Sequence, residues 1–417
     1  MIFKFWYILF PTLRVGNFYG ATRSVARRVS VLFLVLSALF LAGCGSSPNP
    51  TPTALAPAQL AEVALATIQA EYTQTAEAIP PTDSPTETPI STETPIRTPP
   101  ALPGPYQSSI LNPLDTPHTY IDDTCEYLNA KWNPNNSAPG TVVMVVMIHG
   151  ITSGEVDKPN QINAGDLRQL LNDLHEQGFQ AIDAEELAGF LESNAKIPSR
   201  SVLLISDDRH YAQYFNKNFR PFYENYGWTV TNAFISHPDT LQLIWDENAA
   251  LAAEGWVDYQ AHGVIHNIPM SDNSTDEFLM TELQGSIKGI QEHYGNTPLA
   301  IIWPGGGFGL RPIATARELG YRLGFTTNPR GPVMFNWIPL TDNHDEQRPY
   351  FIPEGEMNDP LMTIPRYTDT DAAGHIDEVR VIGKEAGAYA EQNKAVELEY
   401  YDIVCAPTYG AIPTLAP

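Results

Sequence analysis

Basic residues are scarce in this chain: 24 Lys and Arg stand against 48 Asp and Glu, a formal net charge of −24 over 417 residues. That balance excludes a nucleic-acid backbone as partner, because gripping phosphates takes clustered Lys and Arg. It reads as a solvated acidic surface, one that also tolerates a polycationic polymer. Cysteine is rarer still, at 3 residues. Two chemical motifs are missing as well. IHGITSG (148–154) would suit a serine esterase only with a G-x-S-x-G elbow after a later strand, and the chain has none. GGGFG (305–309) lacks the GxGxxG spacing of a dinucleotide loop, and Pro312 stands where its helix would pack. No internal repeat is present.

Proline is plentiful, at 36, but lopsided. The stretch PPTDSPTETPISTETPIRTPPALPGP is Pro/Thr-rich and cannot bury a core, so residues 44–105 are expected to form a disordered tether. Upstream, Arg23, Arg27 and Arg28 precede a short apolar run (31–42) and the sequence Leu41-Ala42-Gly43-Cys44. A basic region, an apolar region and small residues before a cleavage point make a signal peptide over residues 1–43. The last four residues resemble the bacterial lipobox, which implies a lipidated Cys44, export and anchoring to a membrane. In an oxidising compartment the two remaining cysteines, Cys125 and Cys405, are expected to pair and staple the ends of the globular part; two free buried thiols are the alternative.

From residue 141 the pattern alternates. TVVMVVMI (141–148) and SVLLIS (201–206) are continuous apolar runs, the mark of strands buried on both faces. Further strands are predicted at 228–236, 256–262, 299–303 and 321–327. Helices are predicted at 163–177, with Asn163 as N-cap, and at 214–226, 241–254, 276–293 and 313–319. Strands alternating with helices predict an α/β fold with a parallel sheet, and six or more such units favour a distorted (β/α) barrel. In that architecture the C-terminal strand ends carry the chemistry. Asp207 and Asp208 lie at one such end, His262 at another, Trp303-Pro304-Gly305 at a third.

His262 and His266 are four residues apart. If one helical turn follows the strand, both imidazoles face one side and hold one ion. With Asp208 as third ligand they make an open site for a divalent metal, zinc above all. Asp207 stays free to act as base on the attacking water, and a nearby cation eases the repulsion between adjacent carboxylates.

SDD (206–208), HGVIH (262–266) and IWPGGG (302–307), in that order and spacing, resemble the polysaccharide deacetylase family, over roughly residues 141–367. The resemblance implies a metal-dependent deacetylase domain, placed here at 106–410. Asp207 takes the position of the family's base, and Asp208, His262 and His266 those of its metal ligands. Trp303, Pro304 and Gly305 are similar to the W/Y-Pro-x-Gly form of the poly-N-acetylglucosamine branch and are expected along one wall of a substrate groove. MIHG (147–150) resembles the segment that places His149 near the site. IPRY (364–367) resembles a late Leu-Pro-Arg segment, in which Arg366 would pair with Asp207 and hold it ionised. Three departures stand out. Arg209 replaces a glycine. Gly263 replaces a Ser or Thr that stiffens the histidine loop, which predicts a looser metal site. Gly305 replaces an aromatic residue. No late Leu-x-His motif occurs, leaving His149, His210, His344 and His375 as candidates for the acid.

The expected function is removal of N-acetyl or O-acetyl groups from an acetylated polysaccharide at the cell surface by a lipid-anchored hydrolase. A deacetylase-like barrel that binds glycans without turnover is the alternative.

Overall fold

The computed structural model describes residues 97–414. The expected signal peptide, Cys44 and most of the expected tether lie outside the described residues. The last tether residues, 97–105, have no regular secondary structure but pack on the folded part: Gly104 accepts a hydrogen bond from Tyr389 at 2.9 Å.

In chain order the elements begin with β1 (Thr116–His118), α1 (Thr124–Trp132), β2 (Val142–Ile148), β3 (Gly150–Thr152), β4 (Gln161–Asn163) and α2 (Ala164–Glu176). There follow β5 (Gln180–Ala181), α3 (Ala184–Ser193), β6 (Arg200–Asp207), α4 (Ala212–Asn218), α5 (Arg220–Tyr226), β7 (Val230–Phe234) and α6 (Gln242–Glu254). The chain continues through β8 (Val257–Ala261), α7 (Asp276–Tyr294), β9 (Ala300–Ile302), α8 (Leu310–Glu318), β10 (Leu323–Phe325), β11 (Ile338–Leu340), β12 (Tyr367–Thr368) and α9 (Ala372–Tyr400). Asn163 caps α2 as its position predicted, accepting from the Gly165 N–H.

The main sheet is parallel throughout and runs β10-β9-β8-β7-β6-β2-β12, with β5 beside β6. A short seam segment closes the ring. Ile364 bridges parallel to Phe325, and Tyr367 and Thr368 pair with Val146 and Met147 on β2. The expected distorted (β/α) barrel is therefore present. Its distortion is concentrated between β8 and β9, which share one register pair, Ala261 with Ile301. There inward side chains replace the main-chain ladder. Gln260 accepts from the Leu299 and Ala300 N–H groups, each at 2.9 Å, and the His262 ring bonds the Ile302 carbonyl at 2.8 Å.

Side chains alternate across the wall, as period-2 geometry requires. Val142, Met144, Val146 and Ile148 join one cluster with Leu170 of α2, Phe222 of α5, Leu283 of α7 and Ile376 of α9. Val143, Val145, Leu203, Ile205 and Ala233 join a second, inner cluster, to which α3 contributes Leu187, Ala188, Phe190 and Leu191. Asp207 continues the inner row of Leu203 and Ile205, so alternation aims it into the barrel mouth. Cys125 of α1 and Cys405 form the expected disulfide, with Cα atoms 5.3 Å apart. Among the described residues no helix is long and apolar enough to cross a membrane.

Candidate active site

The two adjacent carboxylates occupy different environments. Asp207 ends β6 and is 1% exposed. Its Oδ1 accepts from Arg366 Nη1 at 2.7 Å. Arg366, itself fully buried, donates from Nε to the Thr326 carbonyl at 2.7 Å, so it ties the seam to β10 while reaching across to β6. Burial alone would raise the Asp207 pKa. The charges of Arg366, His262 and His149 outweigh it and hold the carboxyl below its ordinary value. Asp208 lies past the strand end with φ +77°, a left-handed conformation that Asp tolerates better than most residues. That reversal separates it from Asp207 and leaves its side chain about half exposed.

Asp208, His262 and His266 converge, each offering a ligand atom within 4.8 Å of the others. The His262 Nδ1 is engaged by the Ile302 carbonyl, which leaves Nε2 facing Asp207 and Asp208, each at 4.0 Å. Burial drives the His262 pKa down to about 4 despite Asp207, so the ring is neutral at pH 7 and offers a lone pair. The ring centroids of His262 and His266 are 4.4 Å apart. The His266 Nε2 is buried without a hydrogen-bond partner, although a buried imidazole nitrogen normally has one. Two imidazoles and one carboxylate, one nitrogen orphaned, fit a divalent cation with open coordination positions.

The histidine loop differs from the expected helical turn. Residues 262–266 are irregular, with φ +75° at Gly263 and +54° at His266. The imidazoles converge through these two left-handed residues. The missing Ser or Thr hydroxyl is also replaced: Glu282 of α7 accepts from the Val264, Ile265 and His266 N–H groups. Sequence reasoning passed over Glu282. The signal was there, a carboxylate on an α7 face otherwise buried through Leu279, Leu283, Ser286 and Ile290.

His149 lies just beyond β2, with Nε2 3.6 Å from Asp207 Oδ2. Its carbonyl accepts from Tyr214 at 2.6 Å, and the Asp369 carboxyl lies nearby. Asp369 is a second residue the sequence did not single out; burial raises its pKa, opposed by the nearby His149. Of the other histidines, His210 bonds the Asp207 carbonyl at 2.8 Å and stacks on Tyr214. His375 pairs with Glu378, and His344 is exposed on a loop.

Trp303, expected along a groove wall, is instead fully buried, and its indole N–H donates to the Met362 carbonyl at 2.8 Å. Alternation explains this: Ile302 faces inward, so Trp303 faces the helical layer. Pro304 is buried too, and Gly305 alone of the three is exposed. Gly305 has φ +58°, and a β-carbon there would meet the Pro269 ring at 3.2 Å, so this backbone disfavours an aromatic side chain. Arg209 donates to Thr240 Oγ1 at 2.9 Å.

Fold and site together define a parallel (β/α) barrel with a carboxylate–dihistidine cluster at the strand ends. Residues 194–324 match the family model described as polysaccharide deacetylase. YxkH of Bacillus subtilis (strain 168), whose name places it among polysaccharide deacetylases, is 22% identical over 189 residues, 44% of this chain. The match spans 64% of that relative's length, just short of two thirds. Among solved structures, the Streptococcus pyogenes deacetylase PplD in complex with acetate is 19% identical, with a TM-score of 0.44 over 58% of this chain and 99% of that one. IcaB from Ammonifex degensii is 15% identical, with a TM-score of 0.43 over 59% of this chain and 98% of that one.

Proposed function

We propose that this chain is a metal-dependent deacetylase that hydrolyses N-acetyl or O-acetyl groups on an extracytoplasmic polysaccharide. The observation that carries this reading is the convergence of Asp208, His262 and an orphaned His266 Nε2 beside a buried, ion-paired Asp207. Asp208, His262 and His266 would hold the ion, and their two-nitrogen, one-oxygen set suits zinc. When bound, a divalent ion supplies Lewis acidity, polarising an acetyl carbonyl and lowering the pKa of a water. Asp207, kept ionised by Arg366, takes the proton from the attacking water. His149, fixed through its main chain by Tyr214, donates a proton to the departing amine or alcohol. A C–O bond forms at the acetyl carbon, its bond to the sugar nitrogen or oxygen breaks, and acetate leaves. The disulfide supports an oxidising setting, which accords with export and anchoring through Cys44.

The test is metal content together with acetate release from acetylated glucosamine oligomers. Purified protein is expected to carry close to one zinc, or another divalent ion, per chain. Asp208→Ala should lose it. Asp207→Asn should keep the ion yet lose turnover by about 10²–10⁴-fold, the usual contribution of a general base. Absence of metal and turnover in the unaltered protein after loading with zinc would overturn the reading and leave a glycan-binding barrel.

A further inference from the structure

We infer that Glu282 is a positioning residue for the His262–His266 ligand pair, and that Gly263 is a glycine because Glu282 occupies the space a side chain would need. This inference rests on the metal-site reading above and extends it to the helix behind the loop.

Glu282 is an anomaly on its own element. It is 1% exposed and shares the buried face of α7 with Leu279 and Leu283. Among the described residues it makes no ion pair, although a carboxylate in such a place normally takes a basic partner. Its acceptor capacity goes to the histidine loop. Oε2 takes the Val264 N–H at 2.9 Å and the His266 N–H at 3.4 Å, and Oε1 takes the Ile265 N–H at 2.9 Å. Successive amides turned toward one point form a concave anion site, and here the chain fills it with its own carboxylate. Without an acceptor, these amides would be left unsatisfied or the loop would open toward water. Either outcome moves His266, the last of the three donors and a ligand.

Gly263 completes the device. A β-carbon there would fall 2.4 Å from Glu282 Oε2 and 2.9 Å from the Pro304 ring, and φ is already +75°. A side chain at 263 and a carboxylate at 282 therefore exclude one another. The loop is rigid because a helix braces it from behind, and no hydroxyl within the loop is needed.

The test is divalent-metal affinity of the full chain, measured by zinc competition with a chromophoric chelator and by the visible absorption of the cobalt-loaded protein. Glu282→Gln retains the size but turns an N–H₂ toward at least one amide. It is expected to weaken zinc affinity by about 10–100-fold, the usual effect of disturbing groups that orient metal ligands, and to shift the cobalt bands. Gly263→Ser should do the same. Removing the competing carboxylate in Gly263→Ser/Glu282→Ala should recover part of the loss, so that the double variant binds zinc more tightly than Gly263→Ser alone. Ser286→Ala, on the same buried helix face, should bind zinc as the unaltered protein does. If the unaltered protein binds zinc and Glu282→Gln binds it equally tightly with unchanged cobalt bands, the role of Glu282 is overturned while the metal site stands. If the unaltered protein binds no metal, the underlying reading fails first. Should Glu282→Gln not fold, Gly263→Ser leaves the helix untouched and decides alone: unchanged affinity overturns the inference.

Discussion

At the scale of single residues, the site separates two carboxylates that share a peptide bond. Asp207 is dry and paired with Arg366, whereas Asp208 sits half in solvent beyond a left-handed turn. Removing the arginine tests the division. Arg366→Gln leaves Asp207 buried without its cation, and breaking a buried pair in this way costs about 3–5 kcal/mol. The Asp207 pKa is lowered in the native protein, so its contribution to stability is present above its unfolded pKa and lost as pH falls through the folded value. The stability gap between variant and native protein should therefore close as pH drops below about 4, the region of an unperturbed Asp. The acid limb of kcat/KM should move to higher pH in the variant, because the base then protonates more readily. A limb that stays in place would remove Asp207 from the role of base. The Asp-Asp and His-x-x-x-His pairs were legible in the sequence because both stand at the ends of predicted strands. Arg366 was legible only through a resemblance. Glu282 and Asp369 were not, since each reaches the site from a distant segment.

At the scale of elements, the join between β8 and β9 carries the distortion. Gln260 stands in for the ladder there, and Gln260→Met should leave the Leu299 and Ala300 amides without an acceptor. The expected cost is about 1–3 kcal/mol for each unsatisfied group. Hydrogen exchange at residues 299 and 300 should accelerate ahead of that in β6; uniform protection would refute the assignment. Most strands of the main sheet were predicted within about two residues, because β2 is buried at all seven positions and parallel strands read as unbroken apolar runs. The helix expected at 214–226 proved to be two, α4 and α5, broken before Pro221, whose missing N–H and ring interrupt a continuous ladder. The 29-residue α9 was not predicted at all: it mixes Ala and Gly with charged residues and buries only a narrow stripe.

At the scale of the whole molecule, Cys125 and Cys405, 280 residues apart in sequence, tie α1 to the end of the C-terminal helical segment. Both cysteines lie outside the barrel wall and away from the residues of the site. Replacing both with Ser should lower stability by about 2–5 kcal/mol, read as a fall in Tm, and leave kcat and zinc affinity unchanged. A loss of zinc in this variant would mean that the disulfide shapes the site itself.

The sequence by itself determined the class of fold and the identity of the converging residues, because both are written locally: apolar runs at strand spacing and chemically distinctive residues at the strand ends. Tertiary structure alone decided how those residues are held. The seam at 364–368 brings Arg366 to Asp207, α7 brings Glu282 beneath the histidine loop, and side-chain alternation turns Trp303 away from the mouth. Each of these depends on contacts between segments far apart in the chain, where closure of the barrel and the burial of unsatisfied amides, rather than local propensity, set the geometry.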